Sequence, residues 1–241
     1  MDDRDLKADS YVSRHLELGQ STLTDQLKRE LGDLAKPVRE VDFSQPGEVT
    51  LKKGAIEWKF YHEDLDVETM LALADIAKFG YMPFGIRLIK SFSMVNTKSG
   101  ARMELSDILS RDVILAFDSR PSSEPMTDAA SVGTNHIILS NPLTVPKSVF
   151  VLLHEAGHFN DFKARVYGKI FDDTQDSFPI SNSEAAELLR RERNASAFAL
   201  TKIRPFIDDD GPFTESTLRY FVHHESLHSH SKSIADKLTR K

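Results

Sequence analysis

The chain has 241 residues, 40% of them apolar and 28% charged, with a formal net charge of −6. That length buries a substantial core, and that charge excludes a general polyanion binder. There are no cysteines, so disulfides, thiolate metal ligands and a cysteine nucleophile are all excluded, and any metal site must be built from His, Asp and Glu.

The opening stretch MDDRDLKADS is acidic and polar, with no apolar core of a signal peptide. No run approaches the roughly 18 apolar residues of a membrane span. These features lead us to expect a cytoplasmic protein with no nucleic-acid or membrane partner. Residues 1–36 carry Leu16, Leu23, Leu27, Leu31 and Leu34 at helical spacing, ended by Pro37. We read residues 1–45 as an N-terminal helical extension and 46–241 as one domain.

KPVREVDFSQPGEVTLKKG reads as a loop rich in turn formers. In AIEWKFYH, Ile56, Trp58 and Phe60 alternate with polar residues, which predicts a strand. Asp64 or Asp66 is placed to cap a helix reaching about Phe79, with Val67 and Met70 on its buried face. IRLIKSFSMVN, the turn TKSG and ARMEL predict a hairpin, and RDVILAFD a central strand. SRPSSEPMTDAASVGTN reads as a polar loop of the kind that borders sites. HIILS is a short strand ended by an Asn-Pro step.

A helix is then expected from Val145–Ser148 to about Tyr167, stopped by Gly168. Its sequence VFVLLHEAGHFNDF holds the pattern H-E-x-x-H in an apolar setting. Side chains four apart on a helix differ by about 40° in direction and about 6 Å in height. His154 and His158 can therefore present both imidazoles to one ion, while Glu155 points to an adjacent direction, within reach of a water beside that ion. Buried imidazoles and a carboxylate without partners would be costly, and a metal ion answers that cost.

A catalytic zinc takes three protein ligands. The sixth position after His158 is Ala164, so a third histidine at the spacing of the metzincin proteases is absent. A second long helix, capped by Ser181 or Ser183 and stopped by Pro205, offers Glu184, Glu187 and Glu192. Ala185, Leu188, Leu189, Ala195, Ser196, Ala199 and Ile203 form one small and apolar stripe. At about 100° per residue, Glu192 falls in the middle of that stripe, and Glu187 points roughly 140° away. A carboxylate centred on a buried stripe needs a strong partner. We therefore expect His154, His158 and Glu192 to hold one zinc ion per chain, with Glu184 and Glu187 on a solvated face. Asn160 and Asp161 are candidate partners for the histidines, and His136 is a candidate for flanking the cleft.

The H-E-x-x-H helix followed by ERNASAFAL resembles the gluzincin metallopeptidases. More narrowly, it is similar to the minigluzincin-like and ImmA/IrrE-like proteins, whose second motif reads E-x-x-A-(N/D)-x-F-A. Glu192, Ala195, Phe198 and Ala199 fall in register, and Ser196 stands where that family carries the Asn or Asp that usually steadies a zinc-bound histidine. The resemblance covers about residues 110–205. It implies an α+β fold: a small mixed or antiparallel sheet whose edge strand, here HIILS, lies beside the zincin active-site helix, with a second ligand-bearing helix. It implies a zinc endopeptidase with Glu155 as general base, a peptide or protein substrate bound as an extended strand along that edge, and a Tyr or His at the oxyanion. Tyr220, His223, His224 and His228 on an expected last helix are candidates for that role. Two alternatives stay open: a regulatory zincin-fold protein acting by binding a partner, and a hydrolase of a non-peptide amide.

Overall fold

The computed structural model describes residues 29, 32–72, 85–120, 130–132, 136–161 and 182–220. Two compact units are present, Met1–Asp33 and Leu34–Lys241, and every element named below lies in the second. Apart from the few helical residues before Pro37, the expected N-terminal helix lies outside the described residues.

Alternation of apolar and polar side chains builds the first hairpin. β1 (Gly47–Lys53) and β2 (Ile56–Asp64) pair antiparallel around Gly54. Gly54 has φ +58°, and a side chain there would strike Asp208 and the Asp210 backbone. β1 corrects our reading of that stretch as a loop. Val49 and Leu51 are buried and Thr50 and Lys52 exposed, a period of two hidden among flanking turn residues. Asp208 fastens the turn: its carboxylate accepts from Ala55 N at 2.7 Å and from Lys98 Nζ at 2.9 Å.

α1 (Val67–Ala72) begins at Asp66, whose carboxylate accepts from Thr69 N at 2.6 Å. Val67 is 68% exposed and Met70 38%, so the apolar face expected there is open at its start. The remainder of that expected helix lies outside the described residues. β3 (Ile86–Asn96) and β4 (Arg102–Glu104) form the expected hairpin. Asn96 organises its turn, accepting from Lys98 N and Ser99 N while its amide donates to Pro205 O at 3.0 Å.

β5 (Ile114–Asp118), β6 (Ala130–Val132) and β7 (His136–Leu139) complete a seven-stranded sheet. Its order is β1-β2-β3-β5-β7-β6, with β4 on β3. β5 and β7 run parallel, and the other pairs are antiparallel. The class is α+β with a mixed sheet. HIILS, expected at the edge, is β7 and has a neighbour on each side. Among the described residues the outer strand on that side is β6, drawn from a stretch that reads as loop because Ala, Ser and Val span only three positions.

The helical face of the sheet carries the main core. Trp58, Phe60, Phe92, Leu115, Phe117, Ile137 and Leu139 pack with Val149, Phe150, Leu152 and Leu153 of α2 (Pro146–Asn160). Each such side chain contributes about 1.5–3 kcal/mol by leaving water. Pro146 starts α2 with its φ already suited to a helix. Asp161 is extended at φ −79°, ψ 104°, so the described helix stops at Asn160, short of the expected Tyr167. α3 (Asn182–Ile203) matches its expected span, and α4 (Glu215–Tyr220) follows Thr214. Among the described residues no helix is long and apolar enough to cross a membrane.

His62, on the core face of β2, is 1% exposed, and its Nδ1 has no hydrogen-bond partner among the described residues. Phe43, Phe60 and Phe117 surround the ring at centroid distances of 5.3, 6.2 and 5.8 Å. Burial, and then the nearby Arg87 charge, lower its pKa below the ordinary 6.5. The folded protein thus takes up this proton less readily than the unfolded chain. Stability from this group is complete above about pH 6.5 and is lost as pH falls toward the lowered folded value. We expect the melting temperature to fall through that window, and to fall less steeply in His62→Phe. Equal slopes in both proteins would show that another group governs the acid response.

Candidate metal centre

Glycine and alanine bring two helices into close approach. Gly157 lies inside H-E-A-G-H, and a Cβ built on it would stand 2.7 Å from Ala195 Cα and 2.9 Å from Ala195 O. No side chain fits there, so α2 and α3 meet backbone to backbone. Ala185, Ala195, Ser196, Ala199 and Ile203 are the buried residues of α3. The stripe expected from helical spacing faces inward, with Leu188 and Leu189 half-buried.

This crossing joins the three expected ligands. His154 Nε2 lies 3.1 Å from Glu192 Oε2, His158 Nε2 lies 3.5 Å from the same oxygen, and the two Nε2 atoms are 3.2 Å apart. The imidazole planes are nearly perpendicular, at 85°. Each side chain is 13–18% exposed, sheltered but within reach of solvent. Among the described residues this is the one group of three His, Asp or Glu side chains that converges in this way.

The chemistry of the donor set tests the fit to a metal. Tetrahedral zinc binds imidazole nitrogen and carboxylate oxygen at about 2.0–2.2 Å, which places neighbouring ligand atoms roughly 3.3–3.5 Å apart. The observed triangle has edges of 3.1, 3.2 and 3.5 Å. Two nitrogens and a carboxylate oxygen suit zinc and other borderline divalent ions. The residues present fit the group.

The other expected site residues divide clearly. Glu155 follows His154 on α2 and is half-buried. Glu187 is taken by Arg190, which donates from Nε at 2.8 Å and from Nη2 at 2.6 Å. Glu184 is exposed near the start of α3. Asn160 turns from the histidines: its amide donates to Ile108 O at 2.8 Å and Ala156 O at 2.9 Å. Asp161 faces Asn194 at 3.4 Å and Arg190 at 3.7 Å. His136 opens β7, half-buried, opposite Val132 and Ile114. Tyr220 ends α4, and His223, His224 and His228 lie outside the described residues. Ser196, singled out in the sequence at the fifth position of the E-x-x-A-(N/D)-x-F-A pattern, faces His154. Its Oγ lies 3.1 Å from His154 Nδ1.

No family model, curated protein or solved structure matches this chain. Glu192→Ala should lower zinc retention on gel filtration far more than Glu187→Ala, as read by elemental analysis, and equal retention would place the third ligand elsewhere. Gly157→Ala sets two effects against each other. A helical Ala gains about 1 kcal/mol over Gly, while forcing a methyl into a filled contact costs about 1–3 kcal/mol. At 2.7 Å the clash is with backbone, which yields least, so the cost should prevail. We expect a melting temperature lower by a few degrees and weaker zinc retention. A variant that melts higher and holds zinc normally would show that the helices separate freely.

Proposed function

We propose that this chain is a zinc-dependent endopeptidase of gluzincin type. The observation that carries this reading is the convergence of His154 Nε2, His158 Nε2 and Glu192 Oε2 at spacings suited to one divalent ion. When bound, such an ion supplies Lewis acidity, making a water nucleophilic near neutral pH and polarising a carbonyl.

In this reading His154 and His158 bind through neutral Nε2 atoms, and Glu192 brings one negative charge. Glu155 is the general base. Its carboxylate takes a proton from the attacking water and delivers it to the leaving amine. The substrate is a peptide in extended form. β6, the outer strand among the described residues, offers its backbone for pairing by strand addition, in place of the inner β7. Such pairing reads backbone and leaves specificity to side-chain pockets.

Glu155→Gln tests the assignment. The amide preserves shape and removes the base. Zinc content should stay near one ion per chain, while peptide-library cleavage should fall by about 10²–10⁴-fold. Undiminished cleavage by this variant would remove Glu155 from the mechanism, and zinc-loaded wild-type protein that cleaves no peptide would remove the endopeptidase reading.

A further inference from the structure

Pro205 stops α3, and the chain turns through a short 3-10 segment, Arg204–Phe206. Opposite that turn lie β4 and the 3-10 turn Leu105–Asp107. Between them is a cavity of about 470 Å³, a size typical of small-ligand sites. Lys202, on its wall, is ten residues beyond Glu192 on α3, about 15 Å along the axis at 1.5 Å per residue. The cavity is therefore separate from the metal centre. Met103 and Phe206, 3% and 1% exposed, give it an apolar base.

Its charged lining is unbalanced. Arg102 and Lys202 bring two positive charges, and neither has a carboxylate partner among the described residues. Asp107 brings one negative charge, and its carboxylate already accepts from Glu104 N at 2.8 Å. The Thr201 hydroxyl is turned to its own helix, donating to Ala197 O. One unit of positive charge is left over. The wall is also fastened in advance. Asp107 O accepts from Lys202 Nζ of α3 at 2.9 Å, and the next carbonyl, Ile108 O, accepts from Asn160 of α2 at 2.8 Å. A site held from two sides before anything binds costs less to fill.

We propose that this cavity binds a small organic monoanion, a carboxylate on an apolar body, with Arg102 and Lys202 on the carboxylate and Met103, Pro205 and Phe206 against the body. A guanidinium offers a carboxylate two parallel hydrogen bonds. The Lys202 ammonium spends one of its three protons on Asp107 O, which holds it at the cavity and leaves two for a ligand. The excess of one positive charge matches one carboxylate. A phosphate dianion would leave net negative charge beside Asp107. Nothing in this recognition uses the metal centre.

The test titrates the full chain with 4-phenylbutyrate and follows backbone amide signals by two-dimensional NMR. Saturable shifts are expected at Ala101–Met103 and Thr201–Lys202, with a Kd in the millimolar range or tighter. The neutral 4-phenylbutyramide, of nearly the same shape, should bind about tenfold more weakly. The double variant Arg102→Met, Lys202→Met should lose a similar factor while melting within a few degrees of wild type. Absence of saturable shifts at those segments would overturn the proposal. So would equal affinity for the amide, or undiminished binding in the double variant, which would place the carboxylate elsewhere, the metal centre included. Tighter binding of 4-phenylbutyl phosphate would overturn the assignment to a monoanion. Should the double variant fail to fold, the location of the shifts and the acid-to-amide ratio in wild-type protein decide.

Discussion

The contact between Gly157 and Ala195 is the constraint on which the site depends. A backbone approach at which even a methyl lies 2.7 Å from a Cα leaves no slack between α2 and α3. Ligands on separate helices converge only if the distance between those helices is fixed to a fraction of an ångström. Larger side chains would leave that distance to rotamer choice, whereas direct backbone contact settles it by hard-sphere repulsion. The glycine stands between the two histidines along α2, and Ala195 stands between Glu192 and Ser196 and the end of α3. The closest point of the crossing is therefore next to the ligands themselves.

Closeness brings an electrostatic demand. Two imidazole nitrogens and a carboxylate oxygen, each a lone-pair donor when ready to bind, sit 3.1–3.5 Å from one another in a sheltered place. Without a cation or shared protons between them, such a group is costly to bury. Packing of Val149, Phe150, Leu152, Leu153 and Ala156 against the sheet supplies the stability that holds them there. Apolar burial along the rest of the same helix thus offsets what the polar cluster costs when no cation or shared proton joins its members.

The convergence of His154, His158 and Glu192 was more legible in the sequence than the sheet was. His154 and His158 were readable because the helix repeat converts a spacing of four into one face. Glu192 was readable because a carboxylate centred on a stripe of alanines contradicts its surroundings, while Glu187 does not. Asn160 and Asp161 were plausible partners by proximity along the chain, but the side chain beside His154 Nδ1 is Ser196 of the other helix, a position the second motif had marked. β1 was obscured because GEVTLKK follows a run of turn formers and half its residues face solvent. β6 was obscured by its three-residue length. A strand that short draws its stability from its neighbour and leaves almost no periodicity to detect.

Both ends of α2 and the far end of α3 are tied to other parts of the fold, and this explains why the crossing keeps its register. Trp58 of β2 donates through Nε1 to Leu143 O at 2.9 Å, just ahead of α2. Asn160 donates to Ile108 O at 2.8 Å where α2 stops. Asn96, at the tip of β3, donates to Pro205 O just past the end of α3. Each of these bonds joins residues at least 52 apart in sequence and satisfies a backbone carbonyl. A helix fastened at both margins can neither slide nor rotate about its axis without breaking a long-range hydrogen bond. The sheet therefore sets the azimuth of α2 and the end of α3, and the Gly157 contact sets their separation. With rotation and separation both fixed, three side chains on two helices are left with few rotamers, and the one adopted brings them to a common point.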